Sequence, residues 1–300
     1  MSRSIALAHL QRGTDEPSTG VWGPYTLKSA FQPIFRFDNG KLTIDAFEGL
    51  IRPFRDGDAV SPADFFQAVE AADRFHVETL TRTLHLLNAG AYLDPATMLF
   101  INFDPSLFSD RAIARKALRD MKLVLHEADI EAHRIVCEVT EQKSASPDAL
   151  AGFVASLREH GFQIAVDDYG AEESDIHRVT ALRPDIVKFD AQWIARLMDT
   201  RPGSALLTVM VEQFAAKGIR TVFEGIEEHW QLELAEQCGA HMVQGYILAR
   251  PEIAPTSFAT FARRPTKSAP EGRASRKSDA VKQPAPTPST RKSFGRRILP

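Results

Sequence analysis

Only two cysteines occur among the 300 residues, Cys137 inside an apolar run and Cys238 near an expected helix end. Neither has the spacing of a zinc site or a redox pair, so both read as buried thiols of a reducing compartment. No run approaches the ~20 apolar residues of a membrane span. The apolar patch at 5–10, broken by His9, is too short for a secretion signal. A soluble, cytoplasmic protein is the expectation. No glycine-rich loop follows any expected strand, which excludes both the dinucleotide fingerprint and the P-loop. Nor does the chain lean strongly to one sign of charge, with 36 basic and 39 acidic residues and a formal net charge of -3.

That average conceals two opposite parts. Residues 263–300 hold 11 Lys or Arg against Glu271 and Asp279, a formal +9, which leaves -12 on residues 1–262. The basic part has six prolines, Phe294 as its only aromatic residue and little apolar surface to offset the entropy of ordering. A disordered basic tail over 263–300 is expected. It could meet an acidic partner, an anionic lipid surface or nucleic acid without sequence selectivity. Residues 1–25 show no periodicity and read as a poorly ordered lead-in. Residues 26–262 are left as the folded domain.

Within that domain, strand-length apolar runs at 31–35, 44–48, 98–102, 135–138, 164–168, 186–188, 221–224 and 242–244 repeatedly end in polar or charged residues. Helix signals separate most of them. Ser61-Pro62 with Asp64 and Ser146-Pro147-Asp148 are N-terminal signatures, and Gly161, Gly218 and Gly239 are stops. Alternation of strand and helix over about 230 residues predicts an α/β closed barrel, a TIM-like (β/α)8 architecture whose strand ends share one mouth. An open doubly wound sheet is the rival, but there only the ends near the switch point would meet.

The terminating residues, in chain order, are Glu48, Asn102, Glu138, Asp167 with Asp168, Lys188, Glu224 and Gln244. A single acid at a strand end is ordinarily a helix cap or a solvated rim residue, and an Asp pair at a turn ordinarily opens a loop. Lys188 resists that reading, because a lysine in an apolar strand needs an anionic partner. Together, five carboxylates in one mouth require cations to stay ionised. None of the nine histidines sits at these ends, so the donors are all oxygen, which suits Mg2+ or Mn2+ over zinc. Two ions beside a lysine are the equipment for in-line attack on a phosphodiester. Cys137 and Met242 read as core packing, and His160 and His229 as helix surface.

The motifs Gln32-Pro33-Ile34, Glu48-Gly49-Leu50-Ile51-Arg52, Asn102, Glu138-Val139-Thr140-Glu141, Asp167-Asp168-Tyr169-Gly170, Lys188, Glu224-Gly225-Ile226-Glu227 and Gln244-Gly245-Tyr246 resemble the EAL domain of bacterial cyclic di-GMP phosphodiesterases, over about residues 26–255. The resemblance implies a TIM-like barrel with one reversed strand and hydrolysis of cyclic di-GMP to linear pGpG with two Mg2+ or Mn2+ ions. It implies that Glu48, Asn102, Glu138 and Asp167 ligate one ion, with Asp167 bridging to a second held by Asp168 and Glu224. Lys188 would stand beside the attacking water, Arg52 would clamp the substrate phosphate, and Gln32, Leu50 and Asp168 would contact the nucleotide. Glu227 and Gln244 would orient waters or ligands, and Glu141 would anchor the loop after Asp168. The chain departs from the resembled pattern at Gly49, where the signature has alanine, and in the loop Ala171-Glu172-Glu173-Ser174-Asp175. That loop supports the second metal and a homodimer contact in active members, so a receptor that binds cyclic di-GMP without turnover is the alternative.

Overall fold

The computed structural model describes residues 8–12, 16–104, 106, 111–139, 147–171 and 175–260. The expected basic tail at 263–300 lies outside them. Eight strands close a ring: β3 (Tyr25–Asp38), β4 (Lys41–Arg55), β6 (Met98–Phe103), β7 (Ile135–Val139), β8 (Gln163–Tyr169), β9 (Ile186–Phe189), β10 (Arg220–Phe223) and β11 (Met242–Val243). Neighbours from β4 round to β11 are parallel, whereas β3 is antiparallel to both β11 and β4. The expected barrel with one reversed strand is therefore present, and β3 is the reversed strand. Its direction follows from local chemistry. Asp38 pairs with Lys41 across Asn39-Gly40, both at positive φ (49° and 75°), a two-residue hairpin turn that only antiparallel strands can use.

Between the parallel strands run helices α1 (Pro62–Ala68), α2 (Arg74–Tyr92), α3 (Arg111–Glu127), α4 (Pro147–Glu159), α5 (Asp175–Leu182), α6 (Ala191–Met198), α7 (Arg201–Ala215) and α8 (His229–Gln237). Their ends follow the sequence signals. Ser61 Oγ accepts the Asp64 amide at 3.1 Å as the cap of α1, and Gly161, Gly218 and Gly239 all take positive φ after α4, α7 and α8.

The structure differs from the expected lead-in where it describes it. β1 (Leu10–Gln11) pairs with β2 (Thr19–Trp22), and β2 pairs with the start of β3. β3 and β4 extend beyond the barrel, so their far ends offer open edges: β2 takes that of β3, and β5 (Asp58–Ala59) that of β4. This apron packs on α1 and α2 through Leu27, Ile51, Phe65, Val69, Val77, Leu80 and Leu84. β12 (Glu252–Ile253) pairs with β3 alongside.

Inside the ring, each of the eight strands contributes one side chain to a closed apolar layer: Ile34, Ala46, Phe100, Val136, Ala165, Ile186, Val222 and Met242. Strand side chains alternate faces with period two, so the next inward position toward the mouth is two residues away on every strand. Those positions are Gln32, Glu48, Asn102, Glu138, Asp167, Lys188, Glu224 and Gln244. A fully apolar floor thus lies one layer below a fully polar mouth. The alternate residues point outward into the helix layer, where Phe189 stacks on Tyr169 at 5.4 Å and on Phe223 at 5.1 Å, and Tyr169 and Phe189 meet Phe214 and Trp193 edge-on. Burying each such ring contributes about 1.5–3 kcal/mol, and the cluster stiffens the strands that carry Asp167, Lys188 and Glu224.

Candidate active site

The Lys188 side chain, 1% exposed, rises from β9 into the mouth. Its Nζ stands 2.5 Å from Glu138 Oε1, 2.7 Å from Glu224 Oε1, 3.0 Å from Asp167 Oδ1 and 3.8 Å from Glu48 Oε1. One ammonium therefore faces four carboxylates from four strand ends. Burial alone would lower the lysine pKa, but Asp167, Glu138, Glu224 and Glu48 outweigh it and raise it well above the ordinary value. The carboxylates remain underneutralised. Burial, with Glu48 and Asp167 nearby, holds Glu138 well above the usual carboxylate range against the pull of Lys188. Burial likewise pushes Glu224 up to about 8, with Asp167 and Glu48 adding to it. Both shifts favour the protonated carboxyl, so divalent cations binding here would compete with protons.

A bulge explains how two consecutive aspartates share the mouth. Val166 pairs with Val187 and Tyr169 with Phe189, so Asp167 and Asp168 together oppose Lys188 alone. Asp168 takes φ of 55° to do so, and burial and then Asp167 raise its pKa. Gly170 follows at φ of 103°, where a Cβ would stand 2.3 Å from the Trp193 ring. Only glycine lets the chain leave β8 over that indole.

The mouth fits a cation centre on its own chemistry. Among the described residues, Asp167, Asp168 and Glu224 offer oxygens within 4.8 Å of one another. Glu138 Oε2 is buried with no hydrogen-bond donor, and the buried Glu138 Oε1 and Asp167 Oδ1 are met by the Lys188 ammonium alone. Buried carboxylate oxygens without donors are positions for hard cations. Gln244 Nε2 donates to Glu48 Oε2 at 2.8 Å and so orients that carboxylate.

The other expected residues stand around this centre. A cavity of about 300 Å³ above it is lined by Gln32, Glu48, Glu224, Glu227, Gln244 and Tyr246. Gln32 is buried and donates to the Ala249 carbonyl at 3.2 Å. Arg52 donates to the Ile51 carbonyl at 2.9 Å, and its pKa is lowered by burial against the pull of Tyr246 and Glu48. Leu50 is half-buried opposite Ala30 in the β3–β4 ladder. Asn102 stands exposed on the rim and lines an adjoining cleft with Arg74, Glu78, Thr81 and Asp104. Glu141 and the loop at 172–174 lie outside the described residues. Sequence reasoning assigned no role to Tyr246 and Arg250, whose ring and guanidinium stack at 4.4 Å at the rim. The available signal was an aromatic residue two positions past a polar strand end.

Residues 25–251 match the sequence model of the EAL domain. The chain belongs to the EAL domain family. As an EAL domain it is similar to the cyclic di-GMP phosphodiesterase RocR of Pseudomonas aeruginosa, 29% identical over 63% of this chain and 48% of that protein. The uncharacterized EAL-domain containing protein YkuI of Bacillus subtilis is 28% identical over 74% of this chain and 54% of its own length. Among solved structures, BlrP1 of Klebsiella pneumoniae in complex with manganese and cyclic di-GMP superposes with a TM-score of 0.66. It is 26% identical, over 81% of this chain and 58% of that one. The chain thus spans about half the length of these proteins. No helix among the described residues is long and apolar enough to cross a membrane.

Proposed function

We propose that this EAL domain hydrolyses cyclic di-GMP to linear pGpG with two divalent cations, Mg2+ or Mn2+, at the barrel mouth. The observation that carries the reading is the polar layer of eight inward positions directly above an apolar one, with four carboxylates converging on one buried ammonium. Glu48, Asn102, Glu138 and Asp167 would hold one ion, and Asp167, Asp168 and Glu224 the other. When bound, the ions supply Lewis acidity and lower the pKa of a water enough for it to attack phosphorus.

The protein's own groups do the rest. Lys188 presents fixed positive charge to the phosphoryl oxygens as negative charge develops on them, in a site too buried for water to screen it. Arg52 offers a planar fork for a phosphate. Gln244 holds Glu48 in orientation, Glu227 lies at the rim to order solvent, and Gln32 and Leu50 border the space for the nucleotide. Glu141 is proposed as the anchor of the loop after Asp168. A homodimer contact through that loop, a cytoplasmic location and an independent role for the basic tail belong to the same reading.

The test is to incubate purified protein with cyclic di-GMP and Mg2+ or Mn2+ and to follow pGpG formation beside calorimetric binding. The expected result is metal-dependent product, abolished in Glu48→Ala. Tight binding without product would reassign the site to a receptor, the reading that the altered loop at Ala171-Asp175 favours. Activity surviving in Glu48→Ala would show the metal site to be elsewhere.

A further inference from the structure

Gly49 sits between Glu48 and the Leu50-Ile51-Arg52 segment of β4. It pairs with Phe31 in a regular ladder and is not among the glycines at positive φ, so its backbone does not require glycine. Space does. A Cβ at this position would stand 3.0 Å from Cγ, 3.2 Å from Cβ and 3.3 Å from Cδ2 of His85 on α2. Carbon atoms at optimal separation lie ~3.5–4.0 Å apart. The imidazole therefore occupies room that an alanine methyl would need.

His85 is fixed in that seat. It is 4% exposed, its Nδ1 is hydrogen bonded to Ser29 Oγ at 3.0 Å, and the same hydroxyl accepts from Asn88 Nδ2 at 3.1 Å. Its ring meets Phe31 edge-on at 6.3 Å. Ser29 and Phe31 lie on β3, and the register pairs Ser29 with Ile51, Phe31 with Gly49 and Gln32 with Glu48. One ring thus bears on both strands that carry Gln32, Glu48 and Arg52.

We infer that His85, seated in the space left by Gly49, is a positioning residue: it sets the β3–β4 pair and through it the reach of Arg52 and Glu48. The inference rests on the proposed cyclic di-GMP site. The pairing is reciprocal: a methyl at 49 would force the ring to give by a few tenths of an ångström, and the ring fills the space that glycine leaves.

A double-mutant cycle tests it. Gly49→Ala, His85→Ala and the double variant are compared with the wild type in melting temperature, in Kd for cyclic di-GMP with Ca2+, and in KM and kcat with Mn2+. Gly49→Ala is expected to raise Kd and KM about five- to tenfold by shifting Arg52. The same substitution added to His85→Ala is expected to carry little or no penalty, since the methyl then has room. An equal Gly49→Ala penalty in both backgrounds, or none in the wild type, overturns the pairing. A lowered melting temperature with Kd and KM unchanged overturns the positioning role and leaves a packing contact only. His85→Asn replaces His85→Ala as the background if the larger truncation does not fold. If the wild type neither binds nor hydrolyses cyclic di-GMP, the proposed function fails, while the melting-temperature cycle still decides whether the two residues are coupled.

Discussion

Lys188 is the residue on which the metal-free site depends, since four carboxylate oxygens lie within 3.8 Å of its Nζ. Removing one partner of a buried ion pair costs about 3–5 kcal/mol, roughly 6–20 °C in Tm for a domain of this size. Lys188→Met should melt lower by that order in EDTA, and Mn2+ should recover much of the loss by supplying positive charge to the same oxygens. Calorimetry with and without metal checks this, and an unchanged melting point in EDTA would contradict it. His85 gives a second expectation, with the sign set by its direction of shift. Burial first, then the Arg52 and Arg82 charges, lower its pKa to about 3 in the folded protein, against about 6.5 in the unfolded chain. The unfolded chain therefore binds more protons between those values, and stability falls as pH falls through that window. Between pH 7 and pH 5 the wild type should lose about 2 kcal/mol more than His85→Asn in urea melts. Equal losses would show that His85 is not held neutral.

At the scale of elements, the decisive features are a turn and a bulge. The Asn39-Gly40 turn reverses β3, a register shift between Ile34 and Phe35 then brings Gln32 opposite Glu48, and the bulge in β8 turns Asp168 into the mouth beside Asp167. Gly170 closes the bulge at φ of 103° against Trp193. Gly170→Ala should cost about 2–5 kcal/mol from the backbone strain and the clash together. Denaturant melts measure this, and a loss below 1 kcal/mol would mean that the indole moves aside freely. The polar ends of the strands were legible because alternation is local: a carboxylate two residues past an inward apolar position needs no knowledge of the fold. The turn's Asn-Gly signal is equally local, yet the reversal of β3 was expected only from the family resemblance. The bulge was not legible, because a doubled Asp reads as a loop until the partner strand shows that two residues face Lys188. Nor were β1 and β2 legible, short segments without periodicity that are strands only because extended β3 offers them an edge.

Across the whole molecule, ring closure makes distant sequence neighbours in space, so that Glu48 and Gln244, 196 positions apart, share a hydrogen bond of 2.8 Å. The carboxylates gathered there are part of the -12 carried by residues 1–262, and the +9 at 263–300 is separate from them in sequence. Ending the chain after Phe261 should leave turnover within about twofold of the full chain, because no residue of the proposed site lies beyond it. A large loss of turnover in that protein would tie the basic segment to catalysis. By itself the sequence determined the barrel class, the oxygen-only donor set and seven of the eight mouth residues, Gln32 entering only through the family resemblance, since hydrophobic patterning and side-chain chemistry act over a few neighbouring positions. Tertiary structure decided what depends on packing between residues far apart in the chain. It put Lys188 at the centre of four carboxylates, left Glu138 Oε2 without a donor, turned both aspartates inward, set Asn102 on the rim of an adjoining cleft, and seated His85 where Gly49 leaves room. Such relations are distances between side chains on different strands and helices, and only a closed core in which every side chain excludes the others gives them definite values.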